Sequence, residues 1–210
     1  MKKGKYDQQL LVEGKDDQHV IWALCEKFTV SQTFDVIDCE GIDKLIEQIP
    51  ARLKISGNKT LGIVIDADTD STKRWQSLKD IFSNNGYNFP DELPENGLVH
   101  RENDRKIGIW LMPNNNLQGM LEDFVKFLIP ENDRLAEIAE LTLAKIENQQ
   151  LNGYNKEYHK SKAFIHTWLA WQGDPGTPMG LAITKKYLST NDKILCNSFI
   201  EWLNLLFVTE

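Results

Sequence analysis

Apolar residues recur in two periods along this chain, and the period switches from one short segment to the next. QQLLVEG (8–14), TFDVIDCE (33–40) and TLGIVIDAD (60–68) are short runs rich in aliphatic and β-branched residues, which predicts strands. The third is apolar along nearly its whole length, as expected of a strand inside a parallel sheet covered on both faces. Between them, DDQHVIWALCEKF sets Val20, Ile21, Leu24 and Phe28 at helical spacing behind an acidic first turn. GIDKLIEQIPARL carries Ile42, Leu45, Ile46, Ile49 and Leu53 on one stripe, with Pro50 expected to bend or break the helix. STKRWQSLKDIF supplies Trp75, Leu78 and Phe82 for a third helix. After the turn-rich NNGYNFPDELPENG, GLVHRE (97–102) and KIGIWLMP (106–113) again read as strands. The order βαβαβαββ predicts an α/β fold with a Rossmannoid, mainly parallel sheet of four to five strands and right-handed crossovers.

From Leu117 onward the period is helical throughout. LQGMLEDFVKFL, DRLAEIAELTLAKIEN, EYHKSKAFIHTWLAW, MGLAITKKYL and ILCNSFIEWLNLLF predict five helices separated by short Gly, Pro and Asn punctuation. The expected organisation is an α/β domain over 6–113 and a helical extension over 114–210 packed on the same core. WQGDPGTPMG (171–180) reads as a turn-rich link within that body.

Composition narrows the function classes. The 210 residues are 41% hydrophobic and 26% charged, ordinary for a globular chain. No apolar run approaches a membrane span and MKKGKYDQQL lacks the apolar stretch of a signal peptide, so a cytoplasmic protein with no membrane partner is expected. Cys25, Cys39 and Cys196 form no CxxC pair, which argues against zinc and against a disulfide framework. The net charge of −7 offers no general attraction to nucleic acid. It is unevenly spread: residues 151–200 hold six basic and three acidic side chains, whereas residues 1–150 hold 18 and 26.

Chemistry concentrates at LGIVIDADTD. On a continuing strand Asp66 and Asp68 project to the same side and together suit one cation. Two carboxylates that close repel unless one takes a proton or a divalent ion keeps both charged, and Mg²⁺ is the natural hard ion. Asp70, Ser71 or Thr72 is expected to cap the following helix, and Lys73 and Arg74 to be solvated; a cap accounts for one aspartate and leaves Asp66 unexplained. DADTDSTKRWQS fails as a calcium loop, having Ser71 and Ser77 where Gly and Glu are needed, and no phosphate-binding Walker loop is present. An aspartyl-nucleophile phosphatase, with Asp66 attacking phosphorus and Asp68 as acid and base, stays open. In LLVEGKDD, Glu13 ends a strand, Gly14 permits a sharp turn, and Asp17 follows in the first helical turn. In one parallel sheet Glu13 and Asp66 share the carboxyl edge, where open α/β sheets place their sites.

VEGKDD followed about fifty residues later by IDADTD resembles the TOPRIM family, the fold shared by topoisomerases, DnaG-type primases, recombination nucleases and OLD-type nucleases. The resemblance covers roughly residues 6–113 and is nearest to a TOPRIM-related group that continues into helices. It implies phosphodiester chemistry: Asp66 and Asp68 holding Mg²⁺ or Mn²⁺, Asp17 in the same cage, and Glu13 as metal ligand or as general acid and base. Tyr154, Tyr158 and Tyr187 lack the partner domain of a topoisomerase, and the chain lacks the zinc spacing of a primase, so a nuclease on DNA or RNA is the expected activity. A non-catalytic module that contacts a partner protein is the alternative, suited to the acidic surface.

By analogy with OLD-type nucleases, Glu122 and one of Lys160 or Lys162 are further candidates, the lysine stabilising transition-state charge. Of Glu122 and Asp123, one is expected to reach the carboxyl edge. The four histidines show no metal spacing, and Trp168, Trp171 and Trp202 are expected in the core.

Overall fold

In the computed structural model, which describes residues 5–55, 57, 59–102, 104–190 and 194–208, strand β3 (Thr60–Asp66) is buried at every position but its last. The N-terminal MKKG, part of the stretch read for a signal, lies outside the described residues. The sheet grows outward from β3 on both sides. β1 (Gln8–Val12) and β5 (Arg105–Met112) pair with it in parallel; β2 (Asp35–Asp38) adds in parallel outside β1, and β4 (Leu98–Glu102) adds antiparallel outside β5. The strand order is β2-β1-β3-β5-β4.

Alternation along the strands divides the core in two. Leu10, Val12, Val64, Trp110 and Met112 face α1 (Lys15–Lys27) and the later helices α4 (Leu121–Phe127), α5 (Arg134–Asn148), α6 (Lys156–Ala170), α7 (Met179–Thr184) and α8 (Ile194–Phe207). Leu11, Ile63, Ile65, Ile107, Ile109 and Leu111 face α2 (Ile42–Leu53) and α3 (Ser71–Ser83). The molecule is therefore an α/β fold with a mainly parallel five-stranded sheet covered on both faces, and the near-continuous apolar sequence of β3 is what burial on both faces requires.

Helix α8 lies close against the middle of the sheet because two glycines make room for it. Gly62 and Gly108 are register partners on β3 and β5. A Cβ at Gly108 would come within 2.3 Å of Leu206 Cδ2, and one at Gly62 within 2.9 Å of the same atom. Trp202 Nε1 donates to the Leu98 carbonyl at 2.9 Å, and Gln8, Thr33 and Lys106 side chains donate to the carbonyls of Leu206 and Phe207, which the helix end leaves without helical partners.

Three expectations are corrected. Of the bend or break expected at Pro50, the break does not occur: α2 runs on three residues to Leu53, and the missing N–H leaves the Ile46 carbonyl without its helical partner. β3 stops at Asp66 and does not reach Asp68, whose φ of 54° is left-handed. Trp171 caps the end of α6 and is 39% exposed, whereas Trp168 and Trp202 are buried as expected. All three cysteines are free and buried, and among the described residues no helix is long and apolar enough to cross a membrane.

Replacing Gly108 by Ala is expected to cost about 1–3 kcal/mol in chemical denaturation, the usual range for overpacking, because Leu206 is fully buried and has no room to retreat. Gly153→Ala, where the added methyl meets nothing within 4 Å, serves as the control and is expected to be near neutral.

Candidate functional site at the carboxyl edge of the sheet

The parallel strands β1, β3 and β5 end at one edge, and the segments leaving them wall a cleft of about 1040 Å³. Glu13 follows β1 directly, Asp66 is the last residue of β3, Asp17 lies in the first turn of α1 and Glu122 in the first turn of α4. All four line the cleft, as do Asp68, Asp123 and, across from them, Lys160 and Lys162 of α6.

Backbone amides hold the carboxylates in place. Glu13 Oε1 accepts the Asp66 N–H at 2.8 Å, which joins the exits of β1 and β3. Asp66 Oδ1 in turn accepts the N–H of Leu121, the first residue of α4, at 2.9 Å. Asp17 Oδ2 accepts the Gly14 N–H at 3.0 Å and Asp123 Oδ2 the Met120 N–H at 2.9 Å, so each closes the start of its own helix. Asp68 and Gly119 exchange two backbone hydrogen bonds, 2.8 and 2.7 Å, which tie the β3 exit to the loop before α4. With the Asp66–Leu121 bond and the Asp123 cap, that tie brings the first turn of α4, and Glu122 with it, to the sheet edge.

Asp68 leaves the strand geometry expected for it but still lines the cleft. The left-handed backbone ends the strand alternation, and its Oδ2 accepts from the Arg74 guanidinium of α3. Arg74 is thus not solvated; its side chain is only 19% exposed. Asp70 is the helix cap, accepting the Lys73 N–H at 2.9 Å. Of the two lysines, Lys162 approaches Glu122 Oε1 at 3.6 Å, while Lys160 leans to Glu147 at 3.5 Å. Sequence reasoning did not find Ser161, which donates to Asp123 Oδ1, or Asp38 at the end of β2 and Glu40 just after it, which also line the cleft.

The electrostatics are those of crowded, half-dry acids. Asp17 is 7% exposed and Glu122 6%. Burial raises the pKa of Asp17 to about 7, with the neighbouring Glu13 adding repulsion. Burial likewise pushes Asp66 well above the usual carboxylate range, reinforced by Glu13, Asp17 and Glu122. Glu13 is raised by burial first and by Asp68 and Glu122 next, against the lowering effect of the Asp66 amide and Arg74. Among the described residues no three His, Cys, Asp or Glu side chains stand together as a finished ion cage. The amide tethers and the Arg74 pair keep the carboxylates around the cleft and apart from a single point.

Residues 7–208 match the protein family described as protein of unknown function (DUF3226). The chain belongs to that family. Membership extends over both the strand-rich half and the helices that follow, so α4 and α6, which wall the cleft, fall within the DUF3226 region along with β1 and β3. Neither the curated proteins nor the solved structures contain a match to it.

A raised carboxyl pKa means that the folded chain binds protons more tightly than the unfolded one, so stability falls as pH rises through the interval between the two values. For Asp17 that interval runs from 3.8 to about 7, and each tenfold gain in proton affinity is worth about 1.4 kcal/mol. The ion-free protein is therefore expected to melt higher at pH 5 than at pH 8. Asp17→Asn, which keeps an acceptor for Gly14 N–H, is expected to raise the melting temperature most at pH 8 and by clearly less at pH 5, nearer the lower end of that interval.

Proposed function

We propose that the protein is a Mg²⁺- or Mn²⁺-dependent phosphodiesterase of the TOPRIM type, a nuclease acting on DNA or RNA. The observation that carries this reading is the meeting of Glu13, Asp17, Asp66 and Glu122, from four separate segments, in one cleft at the carboxyl edge of the sheet. Backbone amides occupy one oxygen each of Glu13, Asp66 and Asp17, and the mutual repulsion of the four acids still costs stability that a bound cation would recover.

The donor set fits such an ion. It is all carboxylate oxygen, and Mg²⁺ is commonly held by one or two carboxylates with waters and substrate phosphate oxygens completing its shell, so a finished protein cage is not required. Glu13, Asp17 and Asp66 are the residues to hold it, with Asp68 available when released from Arg74. When bound, the ion would polarise the phosphoryl group and acidify a coordinated water. Glu13, whose pKa is raised toward the range of a useful acid and base, is placed to hold or pass a proton. Lys162, beside Glu122 and at the cleft wall, brings positive charge toward a developing oxyanion.

A second reading keeps the fold and drops the chemistry: a contact module for a partner protein. The net charge of −7, which suits a protein partner better than a bare duplex, favours it.

Calorimetric titration of Mg²⁺ and Mn²⁺ into wild type and into Asp66→Asn/Asp68→Asn decides between them. Saturable binding that the double variant loses, with affinity rising between pH 6 and pH 8 as protons leave the cluster, is the expected result; no binding with or without an oligonucleotide favours the contact module. Glu13→Gln is expected to lower cleavage of a mixed DNA and RNA substrate set at least about a hundredfold, the scale of acid–base catalysis, with the melting temperature retained. Cleavage at the wild-type rate in that variant would sink the nuclease reading, and an aspartyl-phosphate analogue trapped on Asp66 would indicate a small-phosphoester phosphatase instead.

A further inference from the structure

A cleft floored by carboxylates repels the polyanion that the proposed chemistry acts on, so a nucleic acid needs cations elsewhere on the same cleft to be held at all. Helix α6 supplies them. Lys156, Tyr158, His159, Lys160, Ser161 and Lys162 all line the cleft, across from the acidic floor.

Two of these lysines are held in an unusual way. Lys156 and Lys160 lie one helical turn apart and both reach the same oxygen, Glu147 Oε2 of α5, at 3.5 Å each. The other oxygen, Oε1, accepts the Tyr154 hydroxyl at 2.8 Å, and this hydrogen bond, ahead of the two lysines, lowers the pKa of Glu147. The Glu147 side chain is only 7% exposed, whereas those of Lys156 and Lys160 are 49% and 46% exposed. One carboxylate therefore fixes two ammonium groups side by side and neutralises only one of them. Each ammonium carries three N–H donors, so donors remain for an outside acceptor. Between the two lysines in sequence stands Tyr158, 45% exposed, its ring 6.5 Å from that of His159.

We propose that the first turns of α6 grip the backbone of a single-stranded nucleic acid, Lys156 and Lys160 contacting its phosphates and Tyr158 stacking on an unpaired base. This deepens the nuclease reading and rests on it for the identity of the polyanion. Cations and an exposed aromatic ring lining one groove are the combination that single strands use, phosphates on the cations and a base face on the ring. A duplex offers phosphates but keeps its base faces stacked inside, which leaves Tyr158 without a partner. The unequal charge along the chain agrees: residues 151–200, where α6 lies, hold six basic and three acidic side chains, against 18 and 26 over residues 1–150.

The test is fluorescence anisotropy of a labelled single-stranded oligonucleotide, and of the same sequence as a duplex, with the full chain at a fixed low Ca²⁺ concentration over a range of monovalent salt. Wild type is expected to bind the single strand more tightly than the duplex. For single strands each phosphate contact contributes about 0.7 to the slope of log affinity against log salt, so Lys156→Gln/Lys160→Gln is expected to lower that slope by about 1.4. Lys156→Arg/Lys160→Arg is expected to restore it, and Tyr158→Leu to weaken binding several-fold without changing the slope. No binding by wild type, equal binding of the duplex, or an unchanged slope in the glutamine variant would overturn the proposal. Its failure is separable from that of the nuclease reading. Binding that depends on the two lysines, in a protein that never cleaves and takes up no Mg²⁺, leaves the grip standing without the chemistry; cleavage lost in Glu13→Gln with a slope indifferent to the lysines does the reverse.

Discussion

A buried carboxylate must have partners or it will take up a proton, and in this molecule the partners are backbone amides at the starts and ends of elements. Glu13 accepts from Asp66, Asp66 from Leu121, Asp17 from Gly14 and Asp123 from Met120. These bonds do two things at once. They tie the exits of β1 and β3 to each other and to α4, and they fix one oxygen of each acid so that the side chains surround the cleft without collapsing onto a neighbour. The Asp68–Gly119 exchange belongs to the same set, joining the β3 exit to the loop before α4.

Beneath that edge, the sheet is held by a different kind of constraint. The Gly62 and Gly108 pair lets α8 approach the sheet until Leu206 rests over the gap, and side chains from β1 and β5 and from the loop before β2 reach the carbonyls at the end of α8. The last helix is thus part of the same core as the first strand, joined to it at Phe207. Helices α4 and α6, which wall the cleft, belong to that face and pack on it through Phe124, Phe164 and Trp168. The position of the basic wall relative to the acids is therefore set by hydrophobic packing, with the Ser161–Asp123 hydrogen bond and the Lys162–Glu122 approach added at the edge.

Charge in the cleft is arranged in opposed layers. Acids crowd the sheet edge, where burial and repulsion raise the proton affinity of Asp17 and Asp66, while Lys162 and the Glu147-held pair stand on α6. Arg74 is the exception, a cation placed among the acids and taking Asp68. It works against the rise in the Glu13 pKa and so favours the charged form of that acid, and it distinguishes the two aspartates of the DxD pair, one held by a backbone amide and the other by a side chain.

Most of the architecture was legible in the chain itself. The alternation of β-branched runs with helical stripes is a local property, and it named the strands, their order and the helices after Leu117, because burial on one or two faces leaves a period in the residues. Glu13, Asp17 and Asp66 were found the same way, as acids at the exits of apolar segments. What the chain could not show is anything set by contacts between distant segments. The turn of Asp68 onto Arg74 depends on a bridge to Gly119, some fifty residues away. Whether Lys160 or Lys162 faces Glu122 depends on the rotation of α6 in its packing, and the sharing of Glu147 by two lysines depends on α5 meeting α6. Local sequence determined which residues end strands and start helices, since that follows from period, capping and propensity; only the tertiary structure decided which charges meet, since that follows from the packing of faces whose partners are remote in the chain.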